Sequence, residues 1–259
     1  MYRTIFTLIF LLSVSVNSQN NAVHAGEKLV FTASYNMSGI LTDLAQVSME
    51  TSEVKTSKAT LLKLKCTAAT YSKWDDFFKI RDLYESYVSP KTLRPYLYKR
   101  NINEGGYFKA MKYTFNSKTN TVKTVQTKKK KSGGTWDENK NVSIGSETKD
   151  IVSTLYYLRT LDFKNKSVGN SEVATIIFDR EEIKTHFKYL GKETIKTNIG
   201  SKECYKLSIS ASKSDILKGN NSNLIWLTAD ENKIPVLAKF KIPVGNGELK
   251  IKSASGLRN

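Results

Sequence analysis

The sequence has 259 residues, 39% of them hydrophobic and 25% charged, and its 41 Lys and Arg against 24 Asp and Glu leave a formal charge of +17. That is ample material for a sizeable core, and a positive field of this size favours polyanions such as acidic glycans, lipid head groups or nucleic acid. Two histidines and two cysteines leave little for zinc or acid–base chemistry.

The chain opens like an export leader. Arg3 is a short positive region, Ile5 to Val16 is apolar, and Val16-Asn17-Ser18 supplies small residues for cleavage before Gln19. The apolar run is short for a bilayer span and no second one follows. No cysteine stands near the cleavage point to carry a lipid. The expectation is therefore a signal peptide over 1–18 and a periplasmic or secreted location, with no transmembrane segment; export argues against a nucleic-acid partner. Residues 19–259 read as one β domain, or as two β lobes joined by a helix.

Glu27 to Asn36 alternates Leu29, Phe31, Ala33 and Tyr35 with polar neighbours, the period of a strand buried on one face. Leu44 to Thr51 returns after Gly39, and Leu62, Leu64, Cys66 and Ala68 alternate in the next strand. Tyr71 to Pro90 is rich in aromatics interleaved with charges and reads as a long bent strand, or as the rim of a binding groove. Tyr96 to Asn101, a Gly105-Gly106 hairpin, the strand from Tyr107 to Phe115, and Thr121 to Lys131 follow. Lys128, Lys129, Lys130 and Lys131 end that strand as a solvated loop, or as a patch for anionic head groups. Residues 132–149 are polar and Gly/Ser-rich around Trp136 and read as a loop.

Asp150 to Phe163 is the best helix candidate. Asp150 sits at the N-cap, and a period of 3.6 puts Ile151, Val152, Leu155, Tyr156 and Leu158 on one face. Arg159 projects onto that apolar side, where a guanidinium needs a partner or water. Strand patterns resume at Val173 to Phe178, Glu182 to Tyr189, Lys192 to Asn198 and Glu203 to Ser210. After an exposed connection from Lys213 to Leu224 come Leu224 to Ala229, Ile234 to Ile242 and Glu248 to Ser253, the last two joined at Gly245-Asn246-Gly247. The fold class expected is mainly β: a curved antiparallel sheet or incompletely closed β-barrel of about a dozen strands wrapped on one central helix.

The segments GEKLVFTASYNMSGI, RDLYESYVSPKTLRPYLYKRNINEGGY, DIVSTLYYLRTLDF and IWLTADENKIPVLAKFKIPVGNGELK, in this order, resemble the exported bacterial family DUF3108. The resemblance covers nearly all of the mature chain and implies a location in envelopes of the Bacteroidetes type. It implies no established activity and no catalytic residues. The architecture is also similar to the lipoprotein-carrier group, whose curved sheet shelters acyl chains around a helical plug, an analogy of fold alone.

Chemistry has few candidates. His24 lies near the mature N-terminus and His186 alternates with lysine and threonine in a strand; no zinc spacing, G-x-S-x-G elbow or P-loop occurs. Asp75 and Asp76 are adjacent and point to opposite faces of a strand, so they make a poor acid–base pair. No cofactor and no metal are implied. Cys66 and Cys204 leave two readings open, buried thiols or a disulfide. In the leading reading, a hydrophobic or amphiphilic envelope molecule lies between helix and sheet. Trp74, Phe78, Tyr84, Tyr107, Tyr113 and Tyr156 line its groove and Arg159 meets its acidic end. Otherwise Arg159 bonds helix carbonyls or an acidic neighbour such as Asp162 or Glu85. The rival is a binding or scaffold module that uses its basic surface for an anionic glycan, lipopolysaccharide or envelope protein partner. A glycan hydrolase ranks third, because it requires two carboxylates facing a cleft.

Overall fold

The computed structural model describes residues 20–37, 39–130, 132–212, 223–242 and 245–259. The expected leader, Lys131, and the 213–222 part of the expected connection lie outside the described residues.

A first meander runs through β1 (Lys28–Met37), β2 (Ile40–Lys55), β3 (Thr60–Thr70), the short helix α1 (Ser72–Asp75), β4 (Arg81–Val88), β5 (Pro95–Glu104), β6 (Tyr107–Asn116), β7 (Thr121–Lys129) and β8 (Thr135–Ser143). Helix α2 (Ile151–Tyr157) follows. A second meander then holds β9 (Ser171–Phe178), β10 (Glu181–Thr197), β11 (Gly200–Ala211), β12 (Leu224–Thr228), β13 (Pro235–Ile242) and β14 (Gly245–Ser255). The two meanders fuse because β1 pairs antiparallel with β14, Lys28 opposite Ser255 and Tyr35 opposite Gly247. The result is one 14-stranded sheet in the order β8-β7-β6-β5-β4-β3-β2-β1-β14-β13-β12-β11-β10-β9.

Antiparallel register sorts the connections between two ends of the sheet. The β1–β2, β5–β6, β7–β8 and β9–β10 turns and the β3–β4 connection share one end, here the rim. The start of β1 and the β4–β5 and β12–β13 connections lie at the other, the base.

The sheet curves but does not close, since β8 and β9 are its two edges. Side chains span the gap. The β9–β10 turn puts Asp179 and Arg180 in the left-handed region, with φ of 45° and 69°, and docks them on the first meander. Asp179 pairs with Arg100 and, at 3.2 Å, with Lys109. Arg180 pairs with Glu138 at 2.8 Å, and its backbone N–H donates to the Tyr113 hydroxyl at 3.1 Å. Burial alone would raise the Asp179 carboxyl, but Arg100 and Lys109 hold it below its usual range on balance.

Four expectations are corrected. The helix is shorter than 150–163, and the sheet does not wrap a long central helix. α2 spans two turns, Leu158–Thr160 forms a 3₁₀ turn, and Leu161 is extended. Val152 and Tyr156 pack with β1 to β7 residues such as Leu29, Leu64 and Tyr113. Leu158, Leu161 and Phe163 must instead reach a second cluster around Phe187, Tyr189, Tyr205 and Leu207, which a continued helix would turn them away from. Residues 71–90 are not one bent strand. Asp75 accepts from Thr70 and Arg81, both at the neighbouring strand ends, and this fixes α1 and a loop before β4. Residues 132–149 are not all loop, because β8 occupies 135–143. As an edge strand with little buried on either face it needs no apolar alternation, only the backbone pairing to β7. The two strands read at 182–189 and 192–198 are one, β10, with a register shift beside Gly191, whose φ of 112° a side chain would resist.

Candidate functional site

The concave side of the sheet carries an apolar groove between α2 and the central strands. Phe31 of β1, Val47 and Met49 of β2, Cys66 of β3, and Tyr84 of β4 form one wall. Ile225, Leu237, Ala238 and Leu249 of β12 to β14 form another, and Ile151, Val152 and Leu155 of α2 the third, around a cavity of about 260 Å³. That volume falls just below the usual range of small-ligand pockets, about 300–1,000 Å³. The only polar side-chain atoms in the lining are the Cys66 thiol and the Tyr84 hydroxyl, which turns to Asp82 at 3.3 Å. Leu155 is exposed although its neighbours on α2 are buried.

The helix is fixed from both ends. At its start the buried Asp150 carboxylate accepts the Ser153 backbone N–H at 2.9 Å and the Ser86 hydroxyl at 2.6 Å, while the Ser153 hydroxyl accepts the Asp150 N–H at 3.0 Å. Burial raises the Asp150 carboxyl, a tendency these donors oppose. Ahead of it, Lys149 forms a parallel bridge to β9, with its N–H on Thr175 at 3.0 Å and its carbonyl accepting from Ile177 at 2.9 Å. Beyond the helix, Arg159 is fully buried at the base. It grips both carboxylate oxygens of the equally buried Glu27 at 2.6 Å and donates to the carbonyls of Asn232 at 3.0 Å and Ala22 at 3.2 Å.

These contacts correct the reading of Arg159. Its fork is satisfied by Glu27, which pattern alone did not single out, and not by Asp162 or Glu85; it does not face the groove. Tyr156 is also fully buried, under the Arg159 guanidinium at 5.6 Å, and its hydroxyl has no hydrogen-bond partner among the described residues. Tyr113 is buried behind the seam that the β9–β10 turn closes, its ring tilted against that of Tyr98 at 5.5 Å. Tyr84 alone of the expected aromatics lines the groove. Trp74, Phe78 and Tyr107 lie at the rim. Trp74 donates to the Asp43 carbonyl at 2.9 Å, Phe78 packs over Gly105 of the β5–β6 turn, and Tyr107 is exposed. Lys128 reaches Glu138 at 3.5 Å and stacks on Trp136 at 5.3 Å, whereas Lys129 lies 5.7 Å over Phe108. The run therefore divides between strand faces. Phe31 was read as an inward strand position, and Val47, Leu237 and Leu249 fall within segments read as strands, but nothing local marks which inward residues border an empty space.

Both cysteines are free thiols, and burial pushes Cys66 up to about 12 and Cys204 to about 11. Among the described residues no group of three His, Cys, Asp or Glu is placed to hold a metal ion. Among the described residues Asp82 and Glu104 form a carboxyl pair. Burial and then the Asp82 charge raise Glu104, and the two side chains hydrogen-bond to each other. Carboxyls in direct contact leave no room for a glycosidic bond, which needs a separation of about 5–9.5 Å. Among the described residues no helix is long and apolar enough to cross a membrane.

No functionally curated protein matches the sequence. Among solved structures the chain is similar to a β-barrel-like protein of domain of unknown function DUF1849 from Brucella abortus. The TM-score is 0.55 and the identity 9%, with 88% of this chain and 96% of that one covered. A Bacteroides fragilis protein with a YmcC-like fold aligns at a TM-score of only 0.30 and 8% identity, over 90% of this chain and 96% of that one, too loosely to support an argument. The first likeness shows a shared barrel-like fold and nothing about ligands. The sequence profile of DUF3108, a protein family of unknown function, matches residues 30–252, nearly the whole chain, which therefore belongs to that family.

Proposed function

We propose that this protein is a non-catalytic envelope protein that holds a hydrophobic or amphiphilic molecule in the groove between α2 and the sheet. The observation that carries the reading is the groove's composition: an open cavity lined by Phe31, Val47, Ile151, Leu155, Leu237 and Leu249, with no charged side chain. Water in such a space is displaced favourably by an apolar chain, at about 25 cal/mol per Å² covered. The leader-like sequence of residues 1–18 supports placement of this activity in the periplasm or outside the cell. Any acidic end of the ligand extends to solvent, since Arg159 is closed off by Glu27.

The test is uptake of an environment-sensitive apolar probe such as N-phenylnaphthylamine by the purified protein. Saturable fluorescence enhancement is expected for the wild type. Leu155→Glu, at an exposed helix position, weakens it by about tenfold or more by putting a carboxylate against the bound probe. Absence of saturable uptake by the wild type, or equal uptake by a folded Leu155→Glu variant, overturns the reading.

A further inference from the structure

The rim concentrates apolar side chains that the core does not use. Ile40 and Leu41 at the β1–β2 turn, Phe77 and Phe78 in the β3–β4 connection, Tyr107 after the β5–β6 turn and Trp136 after the β7–β8 turn are all exposed, Phe77 to 81% and Ile40 to 71%. Four connections thus present large apolar groups at the same end of one sheet. Folding stability gives little reason for this, because side chains as exposed as Phe77 and Ile40 bury little at their turn tips, and single scattered exposed residues would not share an end.

Cations sit among these rings. A cleft of about 310 Å³ between the connections is lined by Lys79, Arg81, Asn103, Gly106, Tyr107 and Lys129. Arg81 is held by Asp75 at 2.5 Å, with its remaining surface toward solvent. Among the described residues Lys79, Lys129 and Lys130 form no ion pair, although the chain uses carboxylates freely elsewhere. Of the acidic neighbours, Asp75 is engaged by Arg81, Asp137 by Thr127, and Glu138 by Arg180 and Lys128, while Asp43, Asp76 and the Asp82–Glu104 pair form no ion pair among the described residues.

We infer that the rim is a docking surface for a lipid leaflet that carries anionic head groups. Phe77, Ile40 and Tyr107 enter the head-group and upper acyl region, and Lys79, Lys129 and Lys130 contact phosphates at the cleft. Apolar tips between lysines match the two layers of such a surface, apolar below and negative above. A protein partner would need a continuous packed face, whereas these tips stand on separate turns. The groove adds a consequence that rests on the proposed function. α2 is tied to the base through Arg159, Glu27 and Asn232, so docking by the rim leaves the anchored end of the helix away from the leaflet, with the groove at mid-sheet between the two.

The test is sedimentation of the chain from Gln19 onward with vesicles of phosphatidylethanolamine and phosphatidylglycerol, compared with neutral phosphatidylcholine vesicles. Binding is expected to the anionic vesicles and to fall steeply with salt. Lys129→Ala with Lys130→Ala lowers affinity by roughly fivefold per lysine removed, and Phe77→Ser lowers it by about tenfold. Both variants change exposed side chains, and both keep wild-type uptake of the apolar probe, which separates this surface from the groove. Vesicle binding without probe uptake leaves the rim standing and removes the groove; probe uptake without vesicle binding does the reverse. Equal binding to neutral and anionic vesicles, or anionic binding unchanged by both variants, overturns the inference, as does capture of an envelope protein through the rim with no vesicle binding.

Discussion

Replacing Arg159 by methionine tests how far the fold depends on its buried ion pair. The change leaves the Glu27 carboxylate and the carbonyls of Ala22 and Asn232 in a region closed to water, where the arginine made four hydrogen bonds to them. Removing one partner of a buried ion pair costs about 3–5 kcal/mol, and each orphaned carbonyl adds on the order of 1 kcal/mol. A loss near 5 kcal/mol is a large part of a typical domain stability of about 5–15 kcal/mol. Urea unfolding followed by tryptophan fluorescence measures it, since Trp226 is buried. Adding Glu27→Leu to Arg159→Met removes the stranded charge and recovers at least about 2 kcal/mol of that loss. A single variant within about 1 kcal/mol of wild type, or a double variant no more stable than the single, would refute the reasoning.

Two further outcomes follow from groups outside the groove. Asp179 has a carboxyl held below its usual range, so its contribution to stability is present above about pH 4, the unfolded value, and is lost as pH falls through the folded value. Asp179→Asn is therefore less stable than wild type at pH 7, with a difference that shrinks as the pH drops below about 4 in a thermal melt series; a pH-independent difference would contradict the seam described. Cys66 and Cys204, raised to about 12 and about 11, remain thiols at pH 8 and resist alkylation in the folded protein, with two equivalents titrating after unfolding. Mass spectrometry of the alkylated protein reads this directly, and a single disulfide found in place of the thiols would overturn it.

Much of the β architecture was readable because a strand buried on one face must alternate, as Leu29, Phe31, Ala33 and Tyr35 do. β8 was not, because an edge strand with two wet faces carries no such constraint and is specified by its partner β7. The aromatic run after Tyr71 misled for a different reason. Rings promote strands only where a sheet can cover them, and Phe77 and Phe78 sit on a turn that none covers. The helix start was legible from Asp150, whose capping requires only local groups. Its end was set by the second cluster that receives Leu158, Leu161 and Phe163, a contact no local pattern encodes. Arg159 was recognised as anomalous from periodicity, but its partner Glu27 lies in the first strand region and is brought near only by the complete sheet. The groove has the same character: its lining is ordinary inward strand sequence, and only the short reach of α2 leaves part of it bare.

The pairing of β1 with β14 places the first and last described strands side by side at the middle of the sheet. A chain that emerges from its N-terminus onward can zip β1 to β8 by successive antiparallel pairings of neighbouring strands, with α1 inside the β3–β4 connection. β1, however, keeps one long unpaired edge until β14 arrives, and with it the core position of Ile251 stays empty. The β1–β14 pairing joins residues over 200 apart in sequence, and such non-local pairings pay the largest loop-closure cost before they form. Until then β1 is an open template for another chain, so an arrested or truncated product lacking β14 is the aggregation-prone species of this protein.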